Sequence, residues 1–238
     1  MKIRIKFSKQ GTMKFIGHLD SMRYFQKAMR RANVDIRYSE GFSPHQIMSF
    51  AAPLGVGLTG SGEYLDIEVH SSDSSRVMVK RLNEVMAEGV EILSFRRLPD
   101  GAANAMSLVA ACDYTVRLRE GYDNCGFWRD FFPGLNDFIQ NGNLEIVKKT
   151  KKGEKQMDLR PFVYEYRLLE DRGMFLKLSA GISVNIKPEL LLEAYCLAKG
   201  QEYQPFAFLI NREEVYADTG SEGSHQFTKL EAFGEEIE

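Results

Sequence analysis

The alternation of apolar and charged residues at the start of the chain is the feature that most constrains its fold. Ile3, Ile5 and Phe7 occupy every second position, and cationic residues stand between them. A period of two residues is typical of a β-strand with one buried face. We therefore predict a first strand whose outer face is cationic.

Periodicity along the following residues predicts the order strand, helix, strand, strand, helix, strand. Apolar residues recur at helical spacing in 19–33 and 77–86. Strand patterns cover 46–54, 63–69 and 90–95. This order is that of a ferredoxin-like βαββαβ unit.

The pattern recurs less regularly after residue 111 and predicts a second copy. We therefore expect an α+β fold of tandem ferredoxin-like (βαββαβ) halves, with antiparallel sheets and helices on one face. The predicted domains are 1–98, with the basic helix and the GFSPH turn, and 112–212, joined by a linker at 99–111. Residues 213–238 contain eight acids against one lysine and are expected to form a flexible acidic tail.

Charge is unevenly distributed along a chain whose formal net charge is only −2. Residues 1–60 hold ten Lys and Arg against three Asp and Glu, a formal charge of +7, which leaves −9 for the remainder. A basic region on a near-neutral chain is typical of proteins that bind RNA or a phosphorylated ligand. A solvated basic face is the alternative interpretation.

Cysteine spacing and hydropathy exclude several classes of protein. Cys112, Cys125 and Cys196 form no CxxC pair, so neither a zinc knuckle nor a disulfide framework is predicted. We expect buried free thiols in a reducing compartment. No apolar run reaches the roughly 18 residues of a membrane span, and residues 1–7 lack the apolar core of a signal peptide. The expected location is cytoplasmic, with no membrane association.

The turn SEGFSPH is the strongest candidate for a functional element. Gly41 permits a backbone conformation that other residues resist, and Pro44 fixes its own φ, so His45 is aimed at a defined place. A second imidazole, His18, precedes the cationic helix in a GHLD motif. Either ring is a candidate general acid or base near neutral pH. The alternative is that each histidine orders its loop by hydrogen bonding to backbone.

Cations and aromatic residues near the histidines favour an anionic ligand. The helix cations are Arg23, Lys27, Arg30 and Arg31. Guanidinium groups bind phosphate through paired hydrogen bonds, and Tyr38, Phe42 and Tyr64 are placed where they could stack on bases. A secondary basic patch is expected at Lys148, Lys149, Lys151, Lys152, Lys155 and Arg160.

We expect the turn to fold back so that His45 lies beside His18 over the cationic helix. The catalytic candidates are His18, His45 and Asp20. With Asp66 these residues match the spacing of no standard metal motif, so no metal site and no cofactor are assigned.

Several stretches carry a family resemblance: GHLD, MRYFQKAMRRANV, YSEGFSPHQIMSFAAPLGVG, GEYLDIE and KKTKKGEKQMDLRPFV. Together they resemble the radical SAM-associated domain family of uncharacterised function, whose members stand alone or lie C-terminal to cobalamin-binding radical SAM proteins. The matching positions are His18, Asp20, Arg23, Arg30, Arg31, Ser39, Gly41, Phe42, Pro44, His45, Gly62, Glu63, Tyr64 and Asp66. The resemblance implies a radical SAM partner. The sequence itself has no CxxxCxxC run to hold that cluster.

These observations lead to the hypothesis of a non-catalytic accessory protein that presents structured RNA, such as tRNA or rRNA, to a radical SAM enzyme. The residues expected to contact substrate or phosphate are Arg23, Lys27, Arg30, Arg31, Ser39, Gly41, Phe42, Pro44, His45, Glu63, Tyr64 and Asp66. One alternative is a metal-independent RNA endonuclease or RNA-processing enzyme that uses His18 or His45 as general base. Another is a protein-interaction scaffold.

Overall fold

The protein is a mixed α+β chain, described here from a computed structural model. The structure describes residues 1–122, 126–150, 153–182, 184–221 and 223–238, without the side chains of 147–150 and 153–155. The α-helices are α1 His18–Arg31, α2 Ser75–Asn83, α3 Ala105–Leu108, α4 Gly126–Arg129, α5 Phe131–Asn141 and α6 Pro188–Ala198. The strands are β1 Lys2–Lys9, β2 Met48–Phe50, β3 Thr59–Glu68, β4 Val90–Arg97, β5 Val109–Leu118, β6 Glu145–Thr150, β7 Gly153–Asp158, β8 Val163–Leu168, β9 Gly173–Ser179, β10 Phe208–Asp218, β11 Phe227–Lys229 and β12 Glu235–Glu236. The expected α+β class with a mostly antiparallel sheet is confirmed.

The chain divides into two compact units. The first comprises Met1–Ala111 and Arg212–Glu238, and the second comprises Cys112–Asn211. In the first unit the strands lie in the order β12-β4-β1-β3-β10, with β2 paired to β3 and β11 to β10. In the second, β9 lies between β5 and β8, while β6 and β7 form a separate hairpin. Residues 99–111, expected as a linker, contain α3 and the start of β5 and belong to the first unit.

Helix α1 packs through the apolar stripe that its sequence predicts. Phe25 and Met29 are buried, four residues apart, as an amphipathic helix requires. The Phe25 ring lies 4.8 Å from that of Phe7 in β1 and 5.5 Å from that of Phe50 in β2, centroid to centroid. The opposite, cationic side of α1 is exposed.

Two of the three cysteines are buried thiols. Cys112 and Cys196 both lie in the second unit. Burial raises the pKa of the Cys196 thiol to about 11. The Cys196 side chain is therefore protonated and unreactive at neutral pH. Cys125 lies outside the described residues.

Both faces of β1 are buried, which differs from the solvent-facing cations expected from its alternation. Arg4 is only 1% exposed, and its Nε and Nη2 bind the two carboxylate oxygens of Asp66 at 2.8 and 2.9 Å. Lys6 Nζ lies 2.7 Å from Glu214 Oε2 and 2.8 Å from Glu231 Oε1. Two of the ten cations of residues 1–60 are therefore neutralised inside the first unit.

The acidic C-terminal residues, expected to form a flexible tail, supply partners for these cations. Strand β11 pairs with β10, and β12 pairs with β4. Between them lies a 3₁₀ helix, Leu230–Phe233, in which Leu230 is completely buried. Its carbonyl oxygen accepts a hydrogen bond of 3.0 Å from Arg4 Nη1. The excess of acids resembles a disordered tail only when it is considered without the buried cations that it balances.

We expect the ion pair of Glu231 to make stability depend on pH in acid. Burial alone would raise the pKa of Glu231, but its hydrogen bond with Lys6 and the charge of Lys6 outweigh burial, so the pKa lies below its ordinary value of 4.5. The unfolded chain therefore takes up the proton first, and this part of the stability, complete above about pH 4.5, is lost as pH falls through the lower folded pKa. In urea unfolding between about pH 6 and pH 3, the free energy of unfolding should fall less steeply for Glu231→Gln than for the wild type. Glu235→Gln, a change of an exposed acid, should follow the wild type; equal slopes for all three proteins would contradict the assignment.

Candidate functional site

His45 lines two cavities of the first unit. The larger has a volume of about 370 Å³, and the lining residues include Ile47, Met48, Ser49, Ile67 and Asn104. The smaller has a volume of about 190 Å³ and is lined by Gln26, Arg30, Tyr38, Pro44, His45 and Gln46. A single water needs roughly 10–15 Å³ by such a measure, so both cavities can hold a ligand.

Hydrogen bonds hold the turn that contains His45 in one shape. The backbone N–H of Ser39 donates to the His45 carbonyl at 2.8 Å, and the His45 N–H donates to Ser39 Oγ at 3.1 Å. Ser39 Oγ also lies 2.9 Å from His45 Nδ1. Gly41 adopts φ of 108°, which favours glycine. The imidazole is thus anchored through Nδ1, and its Nε2 has no partner within the described part of the chain.

The smaller cavity combines a cation with an unsatisfied acceptor. Arg30 is exposed, and its guanidinium has no intramolecular partner among the described residues. Gln46 is 5% exposed; its Nε2 lies 3.3 Å from the Gln26 carbonyl and 3.3 Å from the Tyr38 hydroxyl. Its Oε1 is buried and accepts no hydrogen bond from the described residues. A buried acceptor without a donor costs about 1–3 kcal/mol, so a ligand with both an anionic group and a donor suits this cavity.

His18 lies elsewhere, at the first residue of α1. Its ring packs edge-on against that of Phe50, with centroids 5.5 Å apart, and it lines a crevice of only about 20 Å³ with Lys9 and Glu63. That is room for about one water. A helix rises 1.5 Å per residue, so His18 and Arg30 lie about 18 Å apart along α1. The structure therefore places the two histidines in separate pockets of the described chain, rather than in the one pocket expected.

The other helix cations form an exposed positive face. Arg23 Nη1 lies 3.4 Å from Asp20 Oδ1, a solvent-exposed pair that holds neither group tightly. Arg31 Nη2 donates to the Val85 carbonyl at 3.0 Å, and this neutral acceptor provides no counter-charge. Lys27 is exposed and has no partner in the chain as described. One face of α1 therefore presents a cationic surface that a ligand can reach.

Three candidates from the GEYLDIE stretch are buried in ion pairs and hydrogen bonds. Glu63 forms a bidentate pair with Arg212, whose Nε donates at 2.8 Å. The Tyr64 hydroxyl donates to Glu214 Oε1 at 2.6 Å, and burial with the nearby carboxylate raises the pKa of Tyr64 far above its ordinary value. Asp66 is held by the buried arginine of β1. The partners Arg212 and Glu214 lie 149 and 150 residues away in the chain, so no local pattern could reveal them.

The secondary basic patch can be placed only at one residue. The side chains of Lys148, Lys149, Lys151, Lys152 and Lys155 lie outside the described part of the chain. Arg160 donates through Nη1 to the Ile139 carbonyl at 3.0 Å and through Nη2 to the Gly142 carbonyl at 2.7 Å. Carbonyl groups at a helix C-terminus lack intrahelical partners, so the Arg160 guanidinium caps the C-terminus of α5.

Among the described residues, no group of three or more His, Cys, Asp and Glu side chains could hold a metal ion. None of the described helices is long and apolar enough to cross a membrane.

A family model described as "Uncharacterized protein conserved in bacteria (DUF2344)" matches residues 2–188. No curated protein matches the chain. Among solved structures, the chain is similar to part of the "Crystal Structure of a Cbf5-Nop10-Gar1 Complex", at 12% identity and a TM-score of 0.43. That match covers 90% of this chain and 48% of the other, so this chain spans about half the length of the chain it matches.

Proposed function

We propose that this chain, which belongs to the bacterial family DUF2344, binds RNA through the smaller cavity and the cationic face of α1. The observation that carries the proposal is that one cavity is lined by Arg30, whose guanidinium is exposed, and by Gln46, whose buried side-chain carbonyl is unsatisfied. A guanidinium binds phosphate, and the ribose 2′-hydroxyl is a donor that DNA lacks. RNA supplies both groups within one nucleotide.

Exposed aromatic rings at this site add a way to hold bases. Phe42, at the tip of the turn, is fully exposed, and Tyr38 in the smaller cavity is 48% exposed. Stacking of a base on an aromatic side chain contributes about 1–3 kcal/mol and tolerates any base. These rings support contact with unpaired nucleotides.

Arg30→Ala should weaken RNA binding roughly 10- to 100-fold at low salt, because a hydrogen bond to a charged group contributes about 1.5–3 kcal/mol. Losing one phosphate contact should also reduce the slope of log K against log salt by about 0.7 for a single strand. Filter binding of tRNA and rRNA fragments at several salt concentrations measures both quantities.

Arg76→Ala is the matched control, because Arg76 is an equally exposed arginine on α2 that lines neither cavity. We expect it to change affinity little. Equal losses in the two variants would show diffuse attraction without a site. No affinity for RNA at low salt would overturn the proposal. If the protein then captured a protein partner without binding RNA, the scaffold alternative would be favoured.

We propose further that the chain acts as a non-catalytic accessory protein of a radical SAM enzyme. Support for this partner comes from the resemblance of the GHLD, GFSPH and GEYLDIE stretches to radical SAM-associated domains. Co-purification of such an enzyme with the chain in high salt is the corresponding test.

RNA cleavage is the second proposal, and the position of His45 favours it. Its Nε2 has no partner among the described residues, and its ring lines both cavities, so it could reach a substrate hydroxyl as general base. The RNA recovered from each binding reaction is therefore checked for length. Fragments made by the wild type and not by His45→Ala would favour cleavage over the accessory role.

We also propose that the architecture is a pair of ferredoxin-like halves. In support, the first unit runs β1-α1-β2-β3-α2-β4 along the chain and β4-β1-β3-β2 across the sheet, with antiparallel neighbours. The second unit runs β5-α5-β8-β9-α6, and the β6–β7 hairpin interrupts it.

A further inference from the structure

The larger cavity is not lined by Arg30 and differs chemically from the smaller one. Its volume of about 370 Å³ falls within the roughly 300–1,000 Å³ of small-ligand sites. Ile47, Met48 and Ile67 supply apolar surface, and Ser49 and Asn104 supply polar groups. Apolar surface beside polar groups is typical of a site for a small molecule.

The side chains of Lys2, Asp66 and Glu68, which line the larger cavity, already make hydrogen bonds within the protein. Asp66 is bound through both oxygens by the buried arginine of β1. Glu68 Oε2 accepts a hydrogen bond of 2.8 Å from Arg37, and Lys2 Nζ donates to the Ala102 carbonyl at 3.0 Å. An ionic ligand would therefore have to compete with these pairs, whereas a neutral one would not.

Ser49 and Asn104 by contrast have side chains that make no hydrogen bond within the described part of the chain. Asn104 precedes α3 but forms no capping bond through its side chain. An amide offers two donors and an acceptor, and a hydroxyl offers a donor and acceptors. This combination suits the hydrogen-bonding edge of a nucleobase, while the three apolar side chains pack on its faces.

His45 lines both cavities, so the two cavities are adjacent. The smaller cavity suits an anion and the larger one a neutral ring. We infer that the larger cavity binds a single unpaired nucleobase of an RNA whose phosphate lies at Arg30. This inference rests on the proposed RNA binding. The base must be unpaired, because its edge cannot face Ser49 and Asn104 while it is paired in a duplex.

An RNA with 2-aminopurine at one unpaired position tests this inference in the full chain. Stacking within RNA quenches this base, and Ile47, Met48 and Ile67 offer it aliphatic surface without a stacking base, so fluorescence should rise on binding. Ser49→Leu narrows the cavity and removes the hydroxyl, and the rise should be lost. Asn104→Ala should reduce the rise without affecting the fold, since this exposed side chain makes no described contact. Thr12→Leu, a change of similar size at an exposed residue outside the cavity, should leave the rise intact.

The outcomes distinguish failure of the nucleobase site from failure of the proposed RNA binding on which it rests. Salt-dependent RNA binding with no change in fluorescence would overturn the nucleobase site and leave RNA binding standing. A rise that persists in both Ser49→Leu and Asn104→Ala would place the base elsewhere. No RNA binding at all would overturn both. If Ser49→Leu fails to fold, as judged by circular dichroism, Asn104→Ala decides alone.

Discussion

Replacing Arg4 by methionine should lower the free energy of unfolding by about 3–5 kcal/mol. Arg4 is 1% exposed and bound through two nitrogen atoms to Asp66, so its removal leaves a carboxylate buried without its counter-charge. The Leu230 carbonyl loses its donor as well. Methionine fills much of the same volume, which limits the contribution of an empty cavity to the loss. Urea denaturation monitored by circular dichroism measures the effect.

The pair of Arg37 with Glu68 provides the matched control. Its side chains are 43% and 25% exposed, so Arg37→Met should cost less than about 1 kcal/mol. A double variant, Arg4→Met with Asp66→Leu, should recover part of the stability, because an apolar pair avoids the desolvation of two charges but leaves the Leu230 carbonyl and the Ala105 N–H without partners. Equal losses for Arg4→Met and Arg37→Met would show that the buried pair has no special role.

Leu230→Ala should cost about 2–5 kcal/mol, the usual range for a fully buried leucine. The side chain is 0% exposed although it lies in a segment whose composition resembles a flexible tail. The loss combines the apolar surface returned to water with the cavity left behind. Thermal and urea unfolding should both show it.

Leu93→Ala is the control for this truncation. Leu93 belongs to β4 of the same unit but is 41% exposed, so its replacement should cost well under half as much. If Leu230→Ala proved as mild as Leu93→Ala, the C-terminal segment would not be an integral part of the first unit.

Local periodicity was sufficient to predict β1, α1, β2, β3, α2 and β4 but not α3, β11 or β12 of the first unit. The alternation at Ile3, Ile5 and Phe7 marks β1, and the helical spacing of Phe25 and Met29 marks α1. In the second unit, Pro161 lies in a 3₁₀ helix, Arg160–Phe162, that separates β7 from β8.

The candidate site was less predictable, because it depends on contacts between distant parts of the chain. The alternation in β1 and β3 predicts which residues share a face of each strand. It does not show that both faces are buried. Glu63 and Tyr64 look like site residues until Arg212 and Glu214 are seen to bind them. The unsatisfied carbonyl of Gln46 has no sequence signal at all, since only the fold determines which donors reach it.

The first unit is assembled from two segments that are separated by the whole of Cys112–Asn211. During translation, at about 5–20 residues per second, Arg4 and Lys6 emerge from the ribosome long before the Glu214 and Glu231 carboxylates and the Leu230 carbonyl that they bind. These partners lie 208 to 226 residues later in the chain, so the delay is roughly 10–45 seconds. During this delay the nascent N-terminal segment exposes side chains that lack their native partners. We therefore expect chaperones to bind it in this period.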